Sequence, residues 1–276
     1  MGPEESPATP SWEAEPGLPS GYRLLAFDTL ASTNATALEA ARAGASAGTV
    51  VWARRQTEGR GRRGRNWESF DGNLYVSIIL RPQVSLATAA QLGFAGALAV
   101  AEAIEMLAPS GPAVALKWPN DVLVRGRKIA GVLLESYIEP DGRLAALVLG
   151  VGVNVAAHPG DGNTGDGHPV DGAMYPTTAL QAEPGAGHVG AEALLSALIR
   201  AFDGWYGSWR TAGFAPLRAA WLARAKGLGT PVAVRLPRET RHGIFQDLDE
   251  TGALCLAAAN GRIDRIHVGD VFFGEG

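Results

Sequence analysis

Nine residues, Gly59-Arg60-Gly61-Arg62-Arg63-Gly64-Arg65-Asn66-Trp67, hold four arginines, three glycines and a tryptophan. Glycine at every second or third place loses too much backbone entropy for a helix or strand. The stretch therefore reads as a loop whose amides can approach a ligand closely and whose guanidinium groups converge on anions. Arginine suits planar, bidentate contact with carboxylate or phosphate, and Trp67 offers a flat face for a ring. A small anionic ligand fits this description. An Arg/Gly run also reads as a nucleic-acid-binding tail or as a solvated charged surface. Two features weigh against both: strand-like segments, Thr49–Ala53 and Leu74–Leu80, flank the run, and the rest of the chain is acidic with no second basic patch.

Three further stretches carry candidate chemistry. Lys117-Trp118-Pro119-Asn120-Asp121 closes the short apolar segment Ala113–Lys117, and Pro119 stops regular structure there. Lys117, Asn120 and Asp121 thus sit at a strand end, although Asn120-Asp121 alone also reads as an ordinary turn. Lys128-Ile129-Ala130-Gly131-Val132-Leu133-Leu134-Glu135 follows a turn around Gly126, and a lone lysine there reads as a surface residue. In Gly150-Val151-Gly152-Val153-Asn154 the period of two turns Val151, Val153 and Val155 to the core and Gly150, Gly152 and Asn154 to the other face. Two glycines and an amide leave room for something to lie on the sheet, with Gly131 and Leu133 as a comparable floor on the next strand. Ser32-Thr33-Asn34 opens a helix, and capping alone accounts for Ser32 and Thr33 at this level.

In this order and spacing the four motifs resemble the signatures of biotin protein ligases, over a span from about Leu25 to the C-terminus. The resemblance implies an α+β fold, a mixed β-sheet with helices packed on it, followed by a small C-terminal SH3-like β-barrel. It implies ATP-dependent activation of biotin to biotinyl-5′-AMP, then transfer to a lysine of a biotin carboxyl carrier domain of acyl-CoA carboxylases. By the same resemblance Lys128 and Arg62 are catalytic. Ser32, Thr33, Asn34, Gln56, Arg60, Gly61, Arg62, Lys128, Gly131 and Leu133 bind biotin. Arg65, Trp67, Lys117, Asn120, Asp121 and Asn154 bind the nucleotide, with Thr177–Gln181 as a weaker match near the adenine. Mg²⁺ arrives with ATP and has Asp121 as its one candidate protein ligand, and no metal ligand is assigned firmly. Lipoate-type ligases share the architecture and the acyl-adenylate chemistry, but the Arg/Gly loop and Trp67 favour biotin. A nucleic-acid-binding module and a biotin/ATP sensor without transfer are the competing readings. A homodimer through the sheet edge is implied only by analogy.

The elements that must position these residues follow from composition and pattern. At 276 residues and 46% hydrophobic, the chain can bury one sizeable core plus a small second domain. The formal net charge is −4; Arg54, Arg55, Arg60, Arg62, Arg63 and Arg65 against Glu58 give the loop region +5, so −9 falls elsewhere. Positive charge concentrated in one loop suits a small anion better than a long phosphate backbone, and no DNA binding is expected. The single Cys255 excludes an intrachain disulfide, and no signal sequence is evident, so a cytoplasmic location is expected. The longest apolar run, Val84–Ala108, is broken by Gln91, Glu102 and Glu105 and reads as an amphipathic core helix, Ser85–Leu107, rather than a membrane span.

Residues 1–20 hold five prolines and read as a disordered leader, too short and Pro-rich to form a helix-turn-helix. Residues 21–226 form the expected catalytic domain. Strands are expected at Tyr22–Phe27, Gly48–Ala53, Leu74–Leu80, Ala113–Lys117, Val122–Arg125, Lys128–Ile138 and Leu144–Val155. Helices are expected over Ser32–Arg42, Ala191–Arg210 and Pro216–Ala225, with Trp205, Trp209 and Trp221 in the core. Ala156–Pro176, rich in Gly with Asp161, Asp166, Asp171, His158 and His168, reads as a flexible insertion, because its spacing matches no tight metal site. Residues 227–276 form the barrel, with strands Pro231–Leu236, His242–Asp249, Ala253–Ala258 and Arg262–His267 joined by tight turns. The Arg/Gly loop is expected to stay mobile, through repulsion of its like charges, until an anion orders it.

Overall fold

Seven short runs of β-branched and apolar residues between Arg23 and Val153 pair into one mixed sheet. The structure, a computed structural model, describes residues 17–160 and 176–273. Its elements are β1 (Arg23–Leu30), α1 (Thr33–Arg42), β2 (Thr49–Gln56), β3 (Leu74–Leu80), α2 (Leu86–Ala89), α3 (Leu92–Leu107), β4 (Val114–Lys117), β5 (Asp121–Val124), β6 (Arg127–Ile138) and β7 (Leu144–Val153). After these come α4 (Ala191–Ala212), α5 (Ala215–Leu222), β8 (Pro231–Arg235), β9 (Thr240–Leu248), β10 (Leu254–Ala257), β11 (Ile263–Ile266) and β12 (Asp270–Phe273).

The sheet runs β1-β2-β3-β7-β6-β5-β4. Only β1 and β2 are parallel, joined across α1. One face packs on α3 and α4, and the other carries α1 and the smaller apolar cluster of Phe27, Val51, Ala53, Ile79 and Val148. Strand alternation decides which residues face α1: Ser77 on β3, Gly150 and Gly152 on β7, and Gly131, Leu133 and Glu135 on β6 share that side. The register sets Gly131 opposite Gly152 and Leu133 opposite Gly150.

The expected helix over Ser85–Leu107 divides at Ala90–Gln91. There the backbone tightens to i→i+3 bonds, Gln91 N to Thr88 O at 3.2 Å and Phe94 N to Gln91 O at 3.0 Å. The Gln91 side chain donates to Glu250 O at 3.2 Å and accepts from Trp209 Nε1 at 2.9 Å. α3 is also less amphipathic than expected: every residue from Leu92 to Ala101 is buried, because the sheet, α4 and α5 enclose it. The run Leu86–Leu107 is long and apolar enough to cross a membrane, yet 72% of its most apolar stretch is buried in the protein core.

The last five strands form an antiparallel sheet, β11-β10-β9-β8-β12, in keeping with an SH3-like unit. β12 lies beyond the expected strands: Asp270–Phe273 pairs antiparallel with β8, Asp270 opposite Arg235. This sheet shares an apolar core with the rest of the chain. Phe94 meets Phe214 and Trp221 edge-on at 5.1 and 5.6 Å between centroids, and Trp221 meets Phe245. Gly252 (φ +90°) presses on this cluster, where a Cβ would come within 2.7 Å of Phe94 Cε2. Its carbonyl accepts from Trp118 Nε1 at 3.1 Å. The small sheet is therefore fastened, through α3 and α5, to the end of the large one.

The expected leader lies outside the described residues up to position 16. Its last residues do not behave as a leader. Leu18, apolar in a polar stretch, packs against the core, and Gly17 O accepts from Arg200 Nη2 at 2.6 Å. Of the expected insertion, residues 161–175, with Asp161, Asp166, His168 and Asp171, lie outside the described residues. His158 Nδ1 lies 3.0 Å from Thr177 Oγ1.

Candidate functional site

β4, β5 and the start of β6, at the end of the large sheet, bring charge together around Asp121. Antiparallel pairing sets Lys117 opposite Asp121. Lys128 stands three residues before Gly131, so in a regular strand the two would face opposite sides. A bulge between Val122 and Leu123 skips one residue of β6 and pairs Leu123 with Lys128. That shift turns Lys128 to the side of Asp121 and Gly131, an effect bulges commonly have. Lys128 Nζ lies 2.6 Å from Asp121 Oδ1, and Lys117 Nζ lies 3.2 Å from Oδ2. Burial alone would raise the Asp121 pKa, but the two ammonium groups outweigh it and hold the carboxyl below the usual range. Burial pulls Lys117 below its ordinary value, with Asp121 opposing.

The arginine loop reaches this cluster through Asn120. The loop is closed on itself: Trp67 N donates to Gly59 O at 2.9 Å, Gly61 N to Arg65 O at 2.7 Å, and Arg60 bridges to Asn66. Arg62 Nη1 donates to Asn120 Oδ1 at 3.1 Å, and Asn120 Nδ2 donates to Val132 O at 2.6 Å. Burial lowers the Arg62 pKa while Asp270 and Asp121 raise it; arginine stays charged through the physiological range. Arg63 and Arg65 turn to Asp270 on β12, at 3.0 and 2.6 Å, and Arg62 lies 3.9 Å from the same carboxylate. Repulsion expected to keep the loop mobile is thus offset within the chain. Arg60 is exposed and makes no ion pair among the described residues.

The glycine-lined face carries side chains of the protein itself, which corrects the picture of a bare floor. A Cβ on Gly152 would come within 2.7 Å of Trp67 Cε2, and one on Gly131 within 3.1 Å of Trp67 Cζ3. The missing side chains make room for the Trp67 indole, over which Lys128 Nζ sits 5.4 Å from the ring centroid. A Cβ on Gly150 would strike Asn34 Oδ1 at 2.1 Å. Asn34 is fixed on both sides, its Oδ1 accepting from Ser77 Oγ at 2.6 Å and its Nδ2 donating to Glu135 Oε2 at 2.7 Å.

The start of α1 closes another side. Ser32 caps the helix, its Oγ accepting from Ala35 N at 3.5 Å. Gln56 Oε1 accepts from Thr33 N and Thr33 Oγ1 at 2.8 and 3.1 Å, and its Nε2 donates to Ser69 Oγ at 3.4 Å. Asn154, at the end of β7, donates from Nδ2 to Thr178 O at 3.1 Å. Thr178 lies beside Lys128, bonding N to Lys128 O at 2.9 Å, so the 177–181 segment borders this cluster. Two buried polar atoms here have no partner, Asn154 Oδ1 and Trp67 Nε1. Buried polar atoms are almost always paired, so this acceptor and donor mark places for a polar guest.

The structure thus gathers Arg62, Lys117, Asn120, Asp121 and Lys128 with Trp67, Gly131 and Gly152, and sets Thr33, Asn34 and Gln56 in a buried network beside them. It leaves Arg60 outside and pairs Arg65 with Asp270. Sequence reasoning missed Ser77, Glu135 and Asp270. Ser77 and Glu135 carried a signal as the polar residue in an apolar strand and the lone charge in an apolar run; Asp270 carried none. Asp121 does not suit a Mg²⁺ site, since two ammonium groups already neutralise its carboxylate. Among the described residues no group of three His, Cys, Asp or Glu could hold a metal. A cavity of about 680 Å³ elsewhere, lined by Asp28, Trp52, Arg54, Asp71 and Glu192 among others, contains none of the four motifs.

Residues 26–154 match the Biotin/lipoate A/B protein ligase family, and residues 227–274 match the Biotin protein ligase C terminal domain. A biotin–[acetyl-CoA-carboxylase] ligase of Paracoccus denitrificans is 43% identical over 243 residues, covering 88% of this chain and 97% of that protein. A bifunctional ligase/repressor of Bacillus subtilis is 35% identical over 92% of this chain and 75% of its own length. The structure of an Aquifex aeolicus biotin protein ligase in complex with biotin and ATP superposes with a TM-score of 0.71 at 26% identity, covering 90% and 97% of the two chains. The nucleic-acid reading of the loop finds no support here: Arg62, Arg63 and Arg65 fold back on Asn120 and Asp270 rather than forming a basic stripe.

Proposed function

The chain belongs to the biotin protein ligases, within the biotin/lipoate A/B protein ligase family, and from that membership and its geometry we infer that it attaches biotin to protein in two steps. In the first, a carboxylate oxygen of biotin attacks the α-phosphorus of ATP. The bond to the β-phosphate oxygen breaks, and biotinyl-5′-AMP and pyrophosphate form. In the second, the amine of a carrier-domain lysine attacks the acyl carbon. The bond to AMP breaks, the amine loses a proton, and an amide results.

Two anions must meet in the first step, so the main demand on the protein is electrostatic. The observation that carries this reading is the convergence of Arg62, Lys117 and Lys128 around Asn120 and Asp121. An ammonium group has three N–H donors. Asp121 takes one from Lys128, leaving others for a carboxylate and an α-phosphate oxygen held side by side. Arg62, anchored by Asn120, faces the same anions. Thr33 and Gln56 supply the mixed donors and acceptors that a ureido ring needs, and Asn154 Oδ1, lacking a partner, suits the amino group of an adenine. Trp67, resting on Gly131 and Gly152, presents the flat surface for the nucleotide. A Mg²⁺ ion would come bound to the triphosphate, since this cation keeps waters and phosphate ligands rather than needing a protein cage.

We place the catalytic unit at residues 21–226 and the small sheet after it, and the natural substrates at carrier domains of acyl-CoA carboxylases in the cytoplasm. The test is mass spectrometry of such a carrier domain incubated with the chain, biotin and ATP. One added biotinyl group on a single lysine is expected. Tight biotin and ATP binding with no labelling would instead mark a sensor.

A further inference from the structure

Asp270 is a carboxylate whose side chain is 12% exposed, and its ionic partners among the described residues all come from the arginine loop. Two bonds are charge-assisted, from Arg65 Nη2 at 2.6 Å and Arg63 Nη1 at 3.0 Å. Arg62 adds a longer contact at 3.9 Å while holding Asn120. Arg63 reaches Asp270 from a backbone φ of +57°, a conformation that residues other than glycine adopt only at a cost. The position of Asp270 is itself fixed. It begins β12, paired with Arg235 on β8, and a Cβ on the preceding Gly269 would come within 2.8 Å of Val234 Cγ1. The sheet behind it is fastened to α3 and α5 by the aromatic cluster and the Trp118–Gly252 bond.

We propose that Asp270 is a positioning residue for the ligase reaction: through it the C-terminal sheet sets the arginine loop over the site, so that Arg62 is presented to the reacting anions before they bind. The proposal rests on the two-step reading above. Without a fixed counter-charge, three guanidinium groups within reach of one another repel, and ordering them would fall to the incoming nucleotide. With it, that ordering is complete beforehand, and pre-organisation of this kind appears as tighter binding. It also gives the C-terminal sheet a part in adenylation. The reach is electrostatic as well, since Asp270 favours the charged form of Lys117.

The test compares wild type, Asp270→Asn and Asp270→Glu. Steady-state adenylation should show KM for ATP raised about tenfold in Asp270→Asn, the scale of one lost charge-assisted bond, with kcat changed far less. Biotinyl-AMP should dissociate faster, and Asp270→Glu should recover most of both. A purely structural role would lower kcat and KM effects together with melting temperature and would not be rescued selectively. Unchanged KM and release in Asp270→Asn would overturn the proposal, and a lower KM would show that Asp270 competes with the substrate anion instead. Limited trypsin digestion, read by fragment mass, stands apart from activity. Cleavage after Arg60–Arg65 should accelerate in Asp270→Asn, and equal cleavage rates would contradict the proposal. A wild type without adenylation would count against the proposed function alone, because the digestion result would still decide the role of Asp270 in holding the loop.

Discussion

Two carboxylates organise the charge in this protein, and they do so in opposite ways. Asp121 holds Lys117 and Lys128 within neighbouring strands of one sheet, at 3.2 and 2.6 Å, and all three side chains are largely buried. Asp270 holds Arg63 and Arg65 across a separation of 207 and 205 residues, with Arg65 63% exposed. The first cluster is made by strand register and one bulge, so it is as rigid as the sheet. The second is made by a loop meeting another sheet, so it is only as firm as the packing of that sheet. A site built from both has a fixed half, which can sense and stabilise charge, and an adjustable half, which can admit and retain a ligand.

The largest effect should come from the fixed half. Lys128→Ala should slow adenylation roughly 10²–10³-fold, the scale for removing one electrostatic donor, measured as single-turnover formation of biotinyl-AMP. Near-normal rates would mean that the Asp121 cluster is structural only. Next, Asp121→Asn leaves two ammonium groups facing each other without a counter-charge. Breaking a buried pair costs several kcal/mol; with Lys128 25% exposed, a loss of about 2 kcal/mol is expected in chemical denaturation. A melting curve unchanged from wild type would remove the rigidity claimed for this half.

Salt should separate the two halves. Raising ionic strength to about 1 M shortens the screening length to about 3 Å. Trypsin cleavage in the arginine loop should rise several-fold while unfolding of the main sheet barely shifts. Equal sensitivity of both would erase the contrast. The smallest effect concerns acid. The Asp121 carboxyl is held below its unfolded value of about 3.9. Its stabilising contribution is therefore fully present above that pH and lost only as pH falls through the lower folded value. Wild type and Asp121→Asn should show a constant stability difference from neutral pH to about 5, narrowing below about 4; a difference that vanished near pH 6 would contradict the assignment.

Local features of the site were legible in the sequence and distant ones were not. Glycine at 131, 150 and 152 with alternating valines announced a face where side chains must be missing. Pro119 marked the strand end that carries Asn120 and Asp121. What lies on those glycines was not legible, because the occupants, Trp67 and Asn34, arrive from elements far away in the chain. Lys128 looked like a surface lysine beside a turn; only the bulge at Val122/Leu123 turns it inward, and no residue type encodes that shift. Ser77 and Glu135 were visible as polar interruptions without a stated partner. Asp270 was invisible, since a carboxylate after glycine near the C-terminus is an ordinary turn until tertiary packing sets it against three arginines. The division of the apolar run at Ala90–Gln91 failed for the same reason: Gln91 is recruited by Trp209 and Glu250, both more than a hundred residues away.

In the proposed reaction these converging cations let the carboxylate of biotin attack ATP. Exchange of labelled pyrophosphate into ATP by the purified chain measures that step without any carrier protein. Label is expected in ATP only when biotin is present. Exchange that proceeds equally without biotin, or fails when both substrates are saturating, would contradict it.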